Sequence, residues 1–402
     1  MNKREMHIKS EQKIKKLVNS ELLKTYLLNS FPYCEYTSRN FSEIATELNK
    51  RKVSFKIDSS QCALTFLHAI NYYFEKMKEV DTGEQPFYLN EMPKDNLDEL
   101  TDFISDAFKN TPANLSITFK LHNMLLPACS NHDGIIISLD KEVESIGLFA
   151  TKSKEITCIN FEGEGFYSPF SKNDILREYI QKLNIFFYFM IKTKAINLKD
   201  QSNINPPLMN GLGLINAIDA HMITKYSVKI VDRTYPLLPY SEVLPIGISR
   251  FISRLEINAA LDKTLEEYID VITQKSSQLY KDSSNEARRI KMAIDWYITS
   301  YANEDSVMAF LQLCMGLEAI FGDDQDQGGL TKTLGDRCAY LIGKNIRQRK
   351  NIKDAFNKIY TIRSKIVHGV INKIEHEDSY MLNYARELLQ TALGKEIANL
   401  NN

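Results

Sequence analysis

The spacing of apolar residues predicts two differently organised parts of the chain, which meet at about residue 245. In the first part, apolar positions recur at helical spacing in several segments. These segments, which we interpret as helices, are 11–30, Leu64–Met77, Leu97–Phe108 and Ile175–Lys192. A short turn is expected at Phe31-Pro32, after the first of them.

Between these helices the pattern changes to alternation, which is typical of half-buried strands. The predicted strands are Val53–Ile57, Leu115–Leu121, Gly134–Leu139, Glu155–Phe161 and Tyr226–Val231. Asn131, His132, Asp133 and Gly134 supply turn chemistry. Residues 195–250 hold several prolines and glycines, so the rest of that stretch is interpreted as irregular connections.

From about residue 250 onward the pattern is helical throughout. The predicted helices are Leu255–Tyr280, Glu286–Tyr301, Ser306–Phe321, Thr331–Gly343, Lys350–Val367 and Asp378–Ala398. A polar loop is expected at Asp323–Gly329. The fold class predicted is therefore an α+β N-terminal region, residues 1–245, followed by an all-α helical bundle, residues 250–402, with about five members.

Composition narrows the class of protein. Hydrophobic residues make up 44% of the 402 residues, charged residues 25%, and the formal net charge is −1, so any affinity for RNA must come from a local patch. The six scattered cysteines have no zinc-ligand spacing and are expected to be free buried thiols. The longest apolar run, Ile185–Ile191, is far too short to span a bilayer, and no secretory signal precedes it, so we expect a cytoplasmic protein without a membrane segment.

The segment Tyr360–Gly369 combines the groups that metal-free RNA cleavage needs. Arg363, Ser364, Lys365 and His368 lie within six residues. In that reaction the ribose 2′-OH attacks the adjacent phosphate while a base, an acid and a cation assist. Histidine exchanges protons near neutral pH, and arginine binds phosphate oxygens bidentately. The Gly that follows His368 predicts a helix end there, where a turning backbone could bring His368 towards Arg363.

This segment resembles the Apea-like branch of the HEPN superfamily, whose mark is an arginine, a polar residue, a few further residues and a histidine. The likeness rests on Arg363, Ser364 and His368, preceded by Tyr360, and on the earlier helices that contain Glu318 and Arg337. It covers about residues 285–395, roughly a quarter of the chain. The resemblance implies an HEPN-like bundle and a metal-independent endoribonuclease that needs no cofactor and leaves 2′,3′-cyclic phosphate and 5′-OH ends.

The resemblance also implies roles for single residues. Arg363 would bind the scissile phosphate, Ser364 would orient it or the 2′-OH, and His368 would exchange protons. Tyr360, Lys365, Arg337 and Glu318 would support the site. Glu318 lies among apolar neighbours, so it is expected to form a salt bridge, with Arg337 and Arg363 as the two candidate partners.

Because one chain supplies a single motif, the resemblance implies a homodimer with a composite cleft. Between Thr331 and His376 there are eleven Lys or Arg residues and three acidic residues, a charge balance that suits binding to an RNA backbone. The predicted RNA-binding residues of this patch are Arg347, Arg349 and Lys350. A solvated basic loop explains these three residues equally well. A tRNA is one conceivable substrate. The family context implies antiphage defence or abortive infection, with residues 1–245 either sensing a trigger, for example a phage-derived one, or holding the nuclease in check.

Two other functions fit the same residues. The HEPN-like part could be a non-catalytic module for dimerisation or RNA binding, or the chain could be a toxin held by a separate antitoxin. Other motifs fail on spacing: Gly328–Thr333 is not a P-loop, and His122 and His132 lack a carboxylate pattern for a metal site.

Overall fold

A computed structural model describes residues 6–51, 56–76, 85–110, 113–132, 134–146, 150–165, 172–199, 224–230, 240–322, 330–374 and 378–400. The chain divides into two compact units. One consists of Met1–Ile117, Glu162–Tyr179 and Ser227–Ser241, and the other of Thr118–Phe161, Ile180–Tyr226 and Glu242–Asn402. The predicted boundary near residue 245 stays a prediction.

Near the N-terminus, over the described residues between 6 and 110, the first unit contains four α-helices and a small antiparallel sheet. The helices are α1 (Ile8–Leu22), α2 (Arg39–Leu48), α3 (Ser59–Lys76) and α4 (Lys94–Lys109), and the strands are β1 (Tyr26–Leu28), β2 (Phe31–Tyr33) and β3 (Phe87–Tyr88), in the order β2-β1-β3. Their apolar stripes meet in one core that includes Val18, Phe41, Phe66, Ile70 and Phe108, all fully buried. The mixed α and β character predicted for this part is confirmed.

The start of the chain differs from its prediction. The expected helix over 11–30 ends at Leu22, and Phe31-Pro32 is not a turn but the beginning of β2. The turn lies at Asn29 and Ser30, whose φ angles are +48° and +64°. Two consecutive left-handed residues match the twist of a tight β-hairpin, so Leu27 faces the core from a strand instead of a helix.

A six-stranded sheet follows in sequence. Its strands are β4 (Ala113–Leu121), β5 (Cys129–His132), β6 (Ile135–Ile146), β7 (Ala150–Gly165), β9 (Lys225–Ile230) and β10 (Tyr240–Val243), in the order β10-β9-β4-β7-β6-β5. The pair β6 and β7 is antiparallel from Ile135 opposite Phe161 to Ile146 opposite Ala150. Strands are therefore confirmed at the four predicted positions Leu115–Leu121, Gly134–Leu139, Glu155–Phe161 and Tyr226–Val231. The bounds agree within a residue only for the last of them, because β6 continues to Ile146 and β7 extends from Ala150 to Gly165, well beyond the predicted ends.

The predicted helix Leu255–Tyr280 is wrong over its first ten residues. Strand β8 (Ile196–Leu198) pairs with β11 (Leu255–Ile257), and the helix α7 begins only at Leu265 and ends at Lys281. A capping box sets this start, since Thr264 accepts from the Glu267 backbone and the Glu267 carboxylate accepts from Thr264. Apolar spacing does not show this helix start, because the residues that cap the helix are polar.

The C-terminal region is mostly helical, as predicted. Its helices are α6 (Ile246–Ser253), α7, α8 (Asn285–Ala302), α9 (Ser306–Phe321), α10 (Leu330–Ile342), α11 (Ile346–Val367) and α12 (Ser379–Leu400). The helix α5 (Lys172–Lys192) precedes this region and confirms the helix predicted over Ile175–Lys192. Gly316 of α9 lets these helices approach closely, because a Cβ there would lie 2.5 Å from Leu389 Cδ2 and 3.4 Å from Trp296 Cβ.

Some predictions lie outside the described residues. They are most of the strand Val53–Ile57, the residues 200–223 and 231–239 of the predicted irregular connections, and the loop Asp323–Gly329. Where the stretch 195–250 is described, the prediction of irregular connections is wrong for β8, β10 and the start of α6. Among the cysteines whose side chains are described, Cys62, Cys158, Cys314 and Cys338 are buried free thiols and Cys34 is partly buried. No helix among the described residues is both long and apolar enough to cross a membrane.

Candidate active site

The helix α11 presents the predicted motif at its C-terminal end. Asn345 begins the helix by accepting a hydrogen bond from the Gln348 backbone at 2.9 Å. At the other end the Gly369 N–H bonds the Ile366 carbonyl at 2.9 Å, and the Val370 N–H bonds the Lys365 carbonyl at 2.8 Å. Gly369 has φ +69°, a conformation that glycine adopts without strain, so it ends the helix directly after His368.

Arg363 forms an ion pair with Glu318 of α9. The distance from Arg363 Nη2 to Glu318 Oε1 is 3.2 Å, and the two side chains are 37% and 28% exposed. Of the two partners predicted for Glu318, the structure has Arg363. Because more than a third of the arginine side chain stays exposed, an anion can reach it from solvent.

Tyr360 supports this pair from one turn earlier on α11. Its hydroxyl donates to Glu318 Oε1 at 3.3 Å, and the Arg363 guanidinium lies 6.0 Å from the centre of its ring. The ring is stacked on Phe356 with a centroid distance of 4.7 Å. Burial, followed by the nearby Glu318 charge, raises the pKa of Tyr360, so the phenol stays protonated and acts as a donor.

The end of α9 that carries Glu318 is held by two arginines. Arg289 of α8 donates from Nε to the Ala319 carbonyl at 2.9 Å and from Nη2 to the Ile320 carbonyl at 2.7 Å. Arg337 of α10 donates to the Phe321 carbonyl at 2.6 Å. These are carbonyls that a helix C-terminus leaves without intrahelical partners, and cations there also oppose the helix dipole. Arg337 thus supports the site through the backbone of α9, as does Arg289, which the sequence did not single out.

His368, Ser364 and Lys365 are exposed at the end of α11. Within the described part of the chain, the side chains of His368 and Ser364 have no hydrogen-bond or ion-pair partner. The His368 backbone remains near-helical, with φ −85° and its N–H bonded to the Ser364 carbonyl at 3.0 Å. The left-handed turn comes one residue later, at Gly369, so it does not redirect His368 as the sequence led us to expect.

The motif is consequently divided between two faces of α11. Residues five apart on a helix point about 140° away from each other, so Arg363 and His368 diverge. Ser364 and His368, four apart, lie on one face. The structure brings Tyr360, Arg363 and Glu318 together and places Ser364 with His368, but it does not join the two groups within one chain.

The predicted RNA-binding residues differ in availability. Arg347 and Lys350 are exposed. Arg349 instead donates from Nε to the Gly343 carbonyl at 3.1 Å and lies 4.6 Å from the Tyr340 ring centre, so its guanidinium holds the junction of α10 and α11. Gly343 suits this close contact, because a Cβ there would lie 2.6 Å from Arg349 Cγ and 2.7 Å from the Ala339 carbonyl.

The two histidines considered for metal binding have protein partners. His122 Nε2 lies 2.9 Å from Glu142 Oε2, and His132 Nε2 lies 2.6 Å from Asp270 Oδ1. Lys120 bonds the other oxygen of Glu142 at 2.6 Å. Each imidazole is therefore paired with one carboxylate of the protein. Among the described residues, no group of three or more His, Cys, Asp or Glu side chains is arranged to hold a metal ion.

No protein-family model, curated protein or solved structure matches the chain.

Proposed function

We propose that the protein is a metal-independent endoribonuclease of the HEPN type. In the reaction the ribose 2′-oxygen forms a bond to the adjacent phosphorus as its proton passes to a base, and the bond to the 5′-oxygen breaks as an acid protonates it. The products are a 2′,3′-cyclic phosphate and a 5′-OH end. The proposal assigns phosphate binding to Arg363 and proton transfer to His368.

The observation that carries this proposal is the state of Arg363. Its guanidinium is fixed by Glu318 and packed near Tyr360, yet more than a third of the side chain is exposed. A guanidinium held in place in this way is preorganised for a phosphate, because little side-chain freedom remains to be lost on binding. The free carboxylate oxygen of Glu318 is not bonded to Arg363, so the arginine is oriented by one contact and keeps other donors for the substrate.

His368 supports the same reaction from the end of α11. Its side chain is exposed at the helix C-terminus, where an RNA strand can reach the imidazole. Ser364 lies one turn before it on the same face and offers a hydroxyl to the phosphate or the 2′-OH. Lys365, also exposed, adds positive charge beside them.

The divergence of Arg363 and His368 favours a composite site. A second chain could place its own motif opposite the first, so that a phosphate bound by one Arg363 meets the His368 of the partner copy. We therefore propose a homodimer through the helical region, with RNA bound along the exposed cations Arg347 and Lys350. Action on tRNA, an antiphage or abortive-infection role, a cytoplasmic location and a trigger sensed by residues 1–245 belong to the same proposal.

One observation favours a second function, a non-catalytic module. The ion pair with Glu318 occupies part of the guanidinium that a phosphate would need. In a scaffold this pair would serve only to join α9 to α11. The toxin with a separate antitoxin has no comparable observation in its favour.

The test is induced expression of the wild type, His368→Ala and Thr361→Ala, with total RNA sequenced for new 5′-hydroxyl ends. Thr361 is an exposed residue of the same helix that bonds only the Asn357 carbonyl, so it is the matched control. We expect new ends with the wild type and Thr361→Ala and none with His368→Ala.

The assay is repeated during phage infection, so that a required trigger is present. New ends that persist in His368→Ala would exclude the assigned mechanism. The absence of ends in every strain under both conditions would favour the non-catalytic module.

A further inference from the structure

A cavity lies among the C-terminal ends of three helices in the second unit, separate from the α11 site. Its volume is ≈ 350 Å³, and its walls come from α5, α7 and α12. Its apolar walls are formed by three side chains that are almost completely buried, those of Phe189, Leu279 and Ile397. The cavity is therefore large enough for a small organic molecule with an apolar body.

Two ammonium groups, those of Lys192 and Lys275, line the same cavity. Within the part of the chain that the structure describes, neither forms an ion pair or a hydrogen bond. Lys192 Nζ lies 5.9 Å from the Tyr188 ring centre and 6.0 Å from that of Phe189. Burial there and then the Lys275 charge lower the pKa of Lys192. Asp282 also lines the cavity, but its Oδ1 accepts from the Ser284 N–H at 2.8 Å, and among the described residues it forms no ion pair with Lys192 or Lys275. An anion between the two ammonium groups would therefore stabilise both of them.

Gly394 of α12 makes room for Lys192. A Cβ at this position would lie 3.3 Å from Lys192 Nζ and 3.4 Å from its Cε. Glycine inside a helix is less favourable than alanine, because its backbone loses more conformational freedom on folding. The helix thus carries a locally unfavourable residue at the point where the ammonium enters the cavity wall.

We propose that this cavity binds a small molecule that carries a phosphate or carboxylate group on an apolar body. The anion lies between Lys192 and Lys275, and the body lies against Phe189 and Leu279. Gln278 at the rim offers an amide that can donate to or accept from a polar edge of the ligand. The site is independent of RNA cleavage, so its test does not require the proposed ribonuclease activity.

Pyridoxal 5′-phosphate is a suitable probe because it joins an aldehyde and a phosphate to an aromatic body. A neutral lysine amine attacks the aldehyde carbon, water leaves to give an imine, and borohydride delivers hydride to fix a secondary amine. Labelled lysines of the full chain are then identified by mass spectrometry. We expect Lys192 to be labelled about tenfold faster by pyridoxal 5′-phosphate than by pyridoxal, which lacks the phosphate.

Variants separate anion binding from general reactivity of lysine. In Lys275→Met the ratio of the two labelling rates at Lys192 should fall to about one, whereas Lys395→Met, which removes an exposed lysine of α12 outside the cavity, should leave the ratio unchanged. Gly394→Ala keeps both lysines and favours the helix, and its Cβ would move the Lys192 ammonium by only a few tenths of an ångström, so it should lower the ratio less than Lys275→Met does. A wild-type ratio near one would overturn the proposal.

Competition identifies the chemistry of the ligand. Phenyl phosphate should protect Lys192 at lower concentrations than inorganic phosphate if the apolar walls take part. Equal protection by both would overturn the apolar part of the proposal. Protection by benzoate in place of phenyl phosphate would assign the site to carboxylates, and the reverse would assign it to phosphates.

Discussion

Two carboxylates on helices, Glu47 in the first unit and Glu318 in the second, lie beside cations but differ in how fully they are bonded. Glu47 is 4% exposed and accepts from Ser10 at 2.9 Å, Lys13 at 3.0 Å and Lys50 at 2.6 Å. Glu318 is 28% exposed and is contacted by Arg363 and the Tyr360 hydroxyl, both at one oxygen. Glu47 thus has both oxygens bonded, whereas Glu318 does not.

The difference indicates two uses of the same chemistry. Around Glu47 the contacts with Ser10 and Lys13 join α2 to α1, and the contact with Lys50 holds the end of α2, so the loss of Glu47 should appear in stability. Around Glu318 the interactions position Arg363 while leaving it partly exposed, so their loss should appear in the reaction proposed for α11. Substitutions that test activity and stability together can separate these two roles.

The largest effect is expected from Arg363→Met. Loss of the phosphate-binding cation should reduce RNA cleavage at least about 100-fold. The free energy of unfolding should change by less than ~1 kcal/mol, because the ion pair is partly exposed. Cleavage rates on purified protein and urea unfolding measure the two quantities.

Lys358→Met is the matched control for Arg363→Met, since it removes an exposed cation from the same helix. It should keep cleavage near the wild-type rate. A similar loss of cleavage in both variants would attribute the effect to net charge. A loss of stability large enough to account for the lost cleavage in Arg363→Met would instead assign Arg363 a structural role.

Glu47→Gln should give the opposite result. The neutral amide weakens three hydrogen bonds at a buried site, so the free energy of unfolding should fall by about 1–2 kcal/mol while cleavage is unchanged. Glu43→Gln is the control, because that carboxylate is 34% exposed and pairs only with exposed Lys13 and Arg39. A smaller effect for Glu47→Gln than for Glu43→Gln would contradict the comparison.

The contrast also marks how far sequence reasoning extends. Apolar spacing located the helices from Glu286 to Ala398 well, because burial of one helix face governs each of them. It failed where a short polar signal overrides spacing, at Asn29-Ser30 and at the Thr264 capping box. Local rules of that kind are present in the sequence but are weak beside a run of apolar residues.

The site was predictable only in part. The motif residues follow from chemistry along α11, and the Glu318 pairing could be narrowed to two arginines. The contacts of Arg289 with the end of α9 could not be inferred, because they join residues about thirty positions apart. Their acceptors are backbone carbonyls, which every residue has, so no residue type in the sequence marks them. The contact of Arg349 could not be inferred either, because its acceptor is again a backbone carbonyl, that of Gly343.

Acid should weaken the Glu47 cluster specifically. The Lys50 contact, opposed by burial and assisted by Lys13 and Ser10, lowers the pKa of Glu47 from 4.5 to about 2. A folded-state pKa below the unfolded value contributes stability above pH 4.5, and this contribution is lost as the pH falls from 4.5 towards 2. The stability difference between wild type and Glu47→Gln should therefore shrink over this range in urea unfolding. A difference that stays constant down to pH 2.5 would contradict the assignment.

A smaller effect is expected from Glu318→Gln. The amide still accepts from Tyr360 but holds Arg363 without a charge, so the arginine should be less well oriented while repulsion of the phosphate disappears. The maximal cleavage rate at saturating RNA should fall about tenfold, and the affinity for RNA should stay the same or increase. Weaker RNA binding with an unchanged maximal rate would show that Glu318 does not act by positioning Arg363.

The smallest effect is expected from Tyr360→Phe, which removes only the hydroxyl. The stack on Phe356 and the ion pair of Arg363 with Glu318 remain, and the lost hydrogen bond is long at 3.3 Å. The free energy of unfolding should change by about 0.5 kcal/mol and the cleavage rate by less than about threefold. Tyr360→Leu, which also loses the stack, is the comparison variant and should destabilise the protein more. If Tyr360→Phe abolished cleavage instead, the phenol would itself act on the RNA, and the separation of positioning from chemistry at Glu318 would have to be abandoned.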